Sequence, residues 1–314
     1  MISIKVYIKK FIWILPIIVA VPLLIWKVND RAEYNYKIES FVLINDIPYM
    51  VSEGTAYYWD DDNRVWVACR EGVKKLFRGE DFCILNEDGS LEVGNVENLD
   101  IDEEFSSLSG LYGVACANKL LDISRNTPIR TLNREPVSAS CWALCEDGSM
   151  LINSGGEYIP FEIPNETIKE ISGNFVLTEE GNMYEIIEDS WKSGEYSYKQ
   201  VSEDKLIAID ACGSGTLCVG IREDHTAVMW CLPEWEPLDL TEWKNVKEVA
   251  AGFNYCVGVT TNGKVLYADY VEEREADVST RLRGIKAEHI TCCFETIAII
   301  KNDLTVEKIW LTQD

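Results

Sequence analysis

From about Ser40 onward, the chain consists of short runs in which apolar and polar residues alternate, separated by polar turns. An alternation with a period of two residues is typical of β-strands that bury one face. Several runs are joined by a pair such as Asp-Gly or Asn-Gly, which favours a tight hairpin because both residues accept a positive φ. The pattern therefore predicts an all-β domain made of consecutive hairpins. The turn pairs are Asp88-Gly89, Asp147-Gly148, Glu180-Gly181 and Asn262-Gly263, with Asp224-His225 and Asn302-Asp303 as degenerate versions.

The hairpins are copies of one repeated unit. Each copy has an apolar start, an alternating strand, a polar turn and a second alternating strand. Six copies are clear, namely Val73 to Gly94, Val137 to Ile152, Ile168 to Ile186, Ile207 to Trp230, Val246 to Ala268 and Ile285 to Trp310. The first two turns lie 59 residues apart, whereas the later turns follow at 33 to 44 residues. We therefore expect a seventh copy in the first gap, with its turn at Asn126.

The unit resembles the repeat of the regulator of chromosome condensation family, most closely in Val246 to Ala268 (VKEVAAGFNYCVGVTTNGKVLYA). This resemblance implies a β-propeller, which in this family commonly has seven blades. About 275 residues over seven blades gives about 39 residues for each, which is close to the usual four-stranded blade. We expect an all-β propeller over residues 40–314 with seven blades, and six or eight blades are the alternatives.

The copies also depart from the family pattern. Where the family usually has a His after the repeat glycine, this chain has Asn254-Tyr255 and Asp81-Phe82. The Trp-Gly pair that often closes each unit is missing as well. Founding members of the family are guanine-nucleotide exchange factors on chromatin, and others resemble secreted binding proteins, including an inhibitor of β-lactamase. Because one fold serves many functions, the resemblance does not choose among them.

The N-terminus has a different pattern. Residues 1–10 form a short basic segment, and an uncharged run of sixteen residues follows from Phe11 to Trp26. At 1.5 Å per residue this run spans about 24 Å, and a snorkelling Lys27 extends it towards the ~30 Å of a bilayer core. We expect a transmembrane signal-anchor helix over residues 11–28 and a linker over residues 29–39. A cleaved signal peptide and a buried helix are the alternatives.

The charges indicate how the chain is oriented in the membrane, and they exclude one class of partner. More lysines precede the hydrophobic span than follow it, which favours a single-pass cell-membrane protein with an extracytoplasmic propeller. The whole chain has 53 acidic and 29 basic residues and a formal net charge of −24. Such a charge repels phosphate backbones, so we expect no nucleic acid as a partner. The expected partner is a protein or a surface ligand, bound by a monomeric propeller.

Residue types that carry catalysis or bind metals are sparse. The chain has two histidines and eleven cysteines, without the paired C-x-x-C spacing of a zinc site. Cys83, Cys218 and Cys256 occupy the same strand position in separate copies, so we interpret them as small buried hydrophobes. The acidic run from Asn98 to Glu104 lacks the glycine and the last glutamate of a calcium loop. We therefore expect no enzyme, no catalytic residue, no metal and no cofactor.

Aromatic residues cluster in two long segments between the copies. One segment contains Trp191, Tyr196 and Tyr198, and the other contains Trp235 and Trp243. Propellers bind through loops on a rigid scaffold, and exposed aromatics are enriched in interface hot spots. We predict these five as binding residues, with a role in covering the seams between blades as the alternative. The leading hypothesis is a membrane-anchored, non-catalytic binding module. A regulator of one enzyme, either an exchange factor or an inhibitor, and a carboxylate-based propeller hydrolase are the alternatives.

Overall fold

The computed structural model describes residues 36–44, 46–77, 82–94, 118–133, 141–154, 156–190, 195–212, 217–231, 237–270 and 272–311. Within these residues the chain forms seven antiparallel sheets. This arrangement confirms the predicted all-β propeller with seven blades. No helix in these ranges is both long and apolar enough to span a bilayer. The predicted anchor, residues 11–28, lies outside the described residues.

The blades follow one another along the chain. Blade 1 contains β1 (Ile38–Ile44), β2 (Ile47–Ser52), β3 (Thr55–Asp60) and β4 (Val65–Glu71). Blade 2 contains β5 (Val73–Phe77), β6 (Phe82–Asn86) and β7 (Leu91–Gly94). Blade 3 contains β8 (Ile129–Leu132), β9 (Trp142–Cys145), β10 (Met150–Ser154) and β11 (Glu157–Phe161). Blade 4 contains β12 (Ile168–Ser172), β13 (Phe175–Thr178), β14 (Met183–Ser190) and β15 (Glu195–Ser202).

The last three blades repeat the same order. Blade 5 contains β16 (Leu206–Ala211), β17 (Leu217–Arg222), β18 (Ala227–Cys231) and β19 (Pro237–Leu240). Blade 6 contains β20 (Val246–Ala251), β21 (Tyr255–Thr260) and β22 (Val265–Asp269), followed by the helix Glu272–Leu282. Blade 7 contains β23 (Ala287–Cys293), β24 (Thr296–Lys301) and β25 (Val306–Trp310). The helix contacts β22 and buries Val278 and Leu282 in a core cluster that is shared by blades 6 and 7.

The first strand of each blade is the innermost one. These strands contact one another around the ring, for example β1 with β5 and β23, and β20 with β16 and β23. Because each blade is an antiparallel meander, the turn between its first and second strands lies at one end of the propeller, here called the top face. The turn between the second and third strands lies at the opposite end, the bottom face.

Every innermost strand has the same irregularity. Its pairing with the second strand shifts after the first paired residue in all seven blades, for example between Val246 and Glu248. A bulge of this kind inserts one residue and re-aims the side chains that follow. The repeat therefore places one side chain per blade at an equivalent inner position. These residues are Ser40, Lys75, Thr131, Glu170, Ala208, Glu248 and His289.

The bottom-face turns confirm the repeat and change the location of its seventh copy. Every bottom-face turn has a positive φ shortly before the third strand, at Gly54, Gly89, Gly148, Gly181, His225, Gly263 and Leu304. The missing copy is blade 1, so the predicted turn at Asn126 was wrong. Asn126 instead follows helical residues 118–124, and its N–H donates to the carbonyl of Ile123. In blade 7 the positive φ lies at Leu304, one residue beyond the predicted Asn302-Asp303 pair.

Side chains of blades 1 and 7 close the ring. Trp66 Nε1 donates to the Leu304 carbonyl at 2.8 Å, and Thr296 Oγ1 donates to Asp46 Oδ1 at 3.0 Å. Lys308 Nζ also lies 2.5 Å from Asp61 Oδ2. Each sheet contains only strands that are consecutive in sequence, so no described strand is shared between the first and last blades. Closure among the described residues therefore depends on these side chains and on the packing around them.

Burial should control the reactivity of the cysteines. Seven of the ten cysteines that the structure describes are buried, and Cys69, Cys231 and Cys293 are half-buried. Burial raises the pKa of Cys218 and Cys256 and raises that of Cys69 to about 11, which keeps the thiols protonated and unreactive. We expect a thiol reagent to modify the native protein slowly, with Cys231 and Cys293 first. Peptide mapping by mass spectrometry would check the order, and rapid native labelling of Cys218 or Cys256 would contradict it.

Candidate functional site

Three of the five aromatic residues predicted from the sequence are described, and they lie at two separate seams between blades. Trp191 and Trp235 lie outside the described residues. Trp243 is only 8% exposed and belongs to the core cluster between blades 5 and 6. A Cβ placed on Gly258 would lie only 2.9 Å from the ring of Trp243, so Trp243 packs tightly over the backbone of β21. Trp243 therefore covers a seam, which was the alternative to a binding role.

Tyr196 and Tyr198 lie on β15 at the seam between blades 3 and 4. Tyr196 packs edge-on against Trp142, with ring centroids 6.4 Å apart, and its hydroxyl donates to the carbonyl of Asn153. Tyr198 is 42% exposed and contacts Phe161 and Tyr184. Of the three predicted residues that are described, Tyr198 is the most exposed, whereas Tyr196 joins two blades.

The innermost strands carry polar groups around the channel of the propeller. Lys75 Nζ donates to Thr131 Oγ1 on the next blade at 3.0 Å. Burial raises the pKa of Glu170, while the positive charge of Lys75 opposes this rise and the negative charge of Asp210 adds to it. Carboxylates of neighbouring blades therefore approach one another here, as a propeller hydrolase would require.

The bonds of these carboxylates favour a structural role. Asp210 Oδ2 accepts the N–H of Ala251 on the next blade at 2.8 Å, and Oδ1 accepts the Ser172 hydroxyl of the preceding blade at 3.2 Å. Glu248 repeats the pattern, because its carboxylate accepts the N–H of Ile290 at 3.0 Å and lies 3.0 Å from His289 Nδ1. These two carboxylates join blades 4, 5, 6 and 7 to one another. Within the described ranges, no group of three or more His, Cys, Asp or Glu side chains is placed to hold a metal ion.

A second group of aromatic residues lies on the top face of blades 6, 7 and 1. Phe253 lies in the top-face turn of blade 6 and Phe294 in that of blade 7. Tyr270 follows the third strand of blade 6, and Trp310 ends the third strand of blade 7. Ile47 begins β2 of blade 1. All five side chains are exposed, and Phe294 is the most exposed at 71%. We call Ile47, Phe253, Tyr270, Phe294 and Trp310 the top patch.

Hydrogen bonds link the turns that carry the top patch. In blade 6, Tyr270 N donates to the Asn254 carbonyl at 3.3 Å, which holds Tyr270 beside the turn of Phe253. In blade 7, Leu311 N donates to the Glu295 carbonyl at 2.8 Å, which holds Trp310 beside Phe294.

Thr296 connects these turns across the blades. Its carbonyl accepts the Tyr255 hydroxyl of blade 6 at 3.3 Å, and its own hydroxyl bonds Asp46 of blade 1. The top patch is therefore mounted on three neighbouring blades that are bonded together.

Seven antiparallel blades around one ring define this chain as a seven-bladed β-propeller. No family model and no curated protein matches its sequence. Among solved structures it is similar to human WBSCR16, with 10% identity and a TM-score of 0.55 over 86% of this chain and 88% of that one. It is also similar to the computationally designed Ika8 protein, with 13% identity and a TM-score of 0.50 over 88% of this chain and 97% of that one. At these identities the likeness shows the fold alone.

Proposed function

We propose that this chain is a non-catalytic binding module that engages a protein partner through the top patch. The observation that supports this proposal is the group of five exposed large apolar side chains on one face of three bonded blades. Water-exposed apolar residues are ordinary when they are scattered, but a group of them on one face marks an interaction surface. Four of the five are aromatic, the residue class that contributes most to interface hot spots.

The scaffold supports the same proposal. The top patch lies on short turns and strand ends of a closed propeller, so its backbone loses little conformational freedom on binding. The carboxylates of Asp210 and Glu248 are bonded between blades, which supports a structural role for them in place of a catalytic one. We further propose that the chain is a divergent member of the regulator of chromosome condensation repeat family.

Binding should depend on the top patch and not on exposed apolar residues elsewhere. The test variant combines Phe253→Ser, Phe294→Ser and Trp310→Ser. The control variant combines Ile159→Ser, Ile187→Ser and Leu238→Ser, which are 37 to 40% exposed on blades 3, 4 and 5. Quantitative co-purification from the source cells should recover a protein with the wild-type chain and with the control, but about tenfold less with the test variant. Equal recovery with all three chains would contradict the proposal.

We also propose that residues 11–28 hold the module at the cell membrane, with the propeller extracytoplasmic. The support is the uncharged run from Phe11 to Trp26 and the excess of lysines before it. Full-length protein should remain in the membrane pellet after carbonate extraction, whereas residues 32–314 should stay in the supernatant. Recovery of intact full-length protein in the supernatant would refute the anchor, and a chain shortened at its N-terminus would indicate a cleaved signal peptide.

A further inference from the structure

Phe294 has an unusual backbone for a large aromatic residue. It is the first residue of the two-residue turn between β23 and β24, and its φ is 45°. In the matching turn of blade 4 this position is Gly173, with a φ of 55°. A bulky side chain with a positive φ is strained, and such strain is kept at functional sites when the surrounding structure holds it. Folding alone would therefore favour glycine at position 294.

The surrounding structure holds the Phe294 turn firmly. Cys293 pairs with Thr296 across the turn, and Thr296 pairs in turn with Trp310 on β25. The next residue, Leu311, donates its N–H to the Glu295 carbonyl at 2.8 Å. The backbone that carries Phe294 is thus held in place, and its phenyl ring is an apolar knob on the top face with 71% of its surface exposed.

Carboxylates lie beside the Phe294 turn and in the neighbouring turns of blade 1. Asp46 bonds Thr296 directly, and the turn between β3 and β4 presents Asp61 and Asp62. Glu295, which follows Phe294, is exposed and adds a further negative charge. The nearby Lys308 Nζ is held between Asp61 Oδ2 at 2.5 Å and the Asp46 carbonyl at 3.4 Å. Phe294 is therefore an apolar side chain with negative charge beside it at Asp46 and Glu295.

We infer that Phe294 inserts into an apolar pocket that is edged by arginine or lysine residues on a protein partner. This inference rests on the proposed function and adds the chemistry of the partner. An apolar centre supplies affinity, while complementary charges at the edge steer the encounter and fix its orientation. A protein surface fits better than a lipid surface, because the carboxylates around Phe294 repel the anionic head groups that attract peripheral proteins.

Photocrosslinking of the full-length chain tests the inference. Phe294 is replaced by p-benzoylphenylalanine, and matched chains carry the same group at Phe253, at Trp310 or at Leu238 on blade 5. Each purified chain is incubated with an extract of the source cells and irradiated, and the crosslinked peptides are identified by mass spectrometry. We expect a protein adduct from position 294 but not from position 238, with Arg or Lys residues beside the crosslinked site. Its yield should fall at least tenfold between about 50 and 500 mM salt.

The outcomes separate the inference from the proposed function. Adducts from positions 253 or 310 but not from 294 would overturn the role of Phe294 and leave the binding module intact. A lipid adduct, a partner surface without basic residues or a salt-independent yield would overturn the partner chemistry. The absence of protein adducts from positions 253, 294 and 310 would overturn the proposed function itself.

A stability measurement gives an independent check on Phe294. Phe294→Gly relieves the positive φ, so the melting temperature of the variant should rise by about 2 to 4 °C while the variant loses the partner identified by crosslinking. The matched variant Phe253→Gly should not raise the melting temperature, because the φ of Phe253 is not positive. A fall in melting temperature for Phe294→Gly would show that the ring serves the fold and would overturn the inference.

Discussion

Trp66→Ala should lower the free energy of unfolding by about 2 to 4 kcal/mol, which is a large part of the total stability of most domains. Trp66 Nε1 donates to the Leu304 carbonyl at 2.8 Å. The centroid of its ring lies 5.4 Å from that of Trp59 and 6.5 Å from that of Phe41. Alanine removes both the bond between blades 7 and 1 and the packing behind it. Because no described strand is shared between these blades, the loss falls directly on the closure of the ring.

Two further variants separate the contributions. Trp66→Phe keeps most of the packing but leaves the Leu304 carbonyl without its donor, so we expect a loss of about 1 kcal/mol. Trp310→Ala removes an exposed tryptophan of the neighbouring blade and should change stability by less than about 0.5 kcal/mol. Urea unfolding followed by circular dichroism measures all three. If Trp66→Ala lowered the free energy of unfolding no more than Trp310→Ala does, closure of the ring would have to depend on other contacts.

The hairpins could be predicted from the sequence because their chemistry is local. A pair such as Asn262-Gly263 needs a positive φ at one residue, and Gly263 has a φ of 80°. The alternating runs on either side form β21 and β22, with Val259 opposite Val265. Short-range rules of this kind do not depend on the rest of the chain, so four glycine turns and the repeat period could be predicted correctly.

Blade 1 was missed because its signals are weaker than those of the other copies. Its turn is at Glu53-Gly54, and the third strand that follows is crowded with Tyr57, Tyr58 and Trp59. Its first strand begins at Ile38, within the predicted linker over residues 29–39. Blade 3 was misplaced for a related reason. Its first strand is Ile129–Leu132, which precedes the predicted start of that copy at Val137.

The exposed aromatic residues could not be predicted from position along the chain, because burial is set by the neighbouring blade. Trp243 lies between repeats in sequence, yet it packs over Gly258 of the next blade. Phe294 lies inside a repeat, yet it projects into solvent. One signal was available, since an alignment of the copies places Phe294 opposite Gly173. An aromatic residue in place of a turn glycine is a local conflict, and such conflicts are expected at functional sites.

The glycine turns also predict a large difference between two equivalent substitutions. Gly89 and Gly148 both follow an Asp in a bottom-face turn, with φ values of 82° and 86°. A Cβ on Gly148 would meet nothing within 4 Å, so Gly148→Ala measures the cost of the positive φ alone, about 1 kcal/mol. A Cβ on Gly89 would lie 2.6 Å from Pro128 Cβ and 2.8 Å from Pro128 Cα, which is closer than real contacts allow.

Gly89→Ala should therefore destabilise the protein by about 2 to 4 kcal/mol, clearly more than Gly148→Ala. Pro128 cannot move aside easily, because the next residue, Ile129, donates its N–H to the Gly89 carbonyl at 2.9 Å and begins the innermost strand of blade 3. The added methyl group must push blades 2 and 3 apart at the bond that joins them. Chemical unfolding of both variants measures the difference. Equal losses would mean that this seam adapts without cost, and the close approach of the two blades at Gly89 would then have no energetic role.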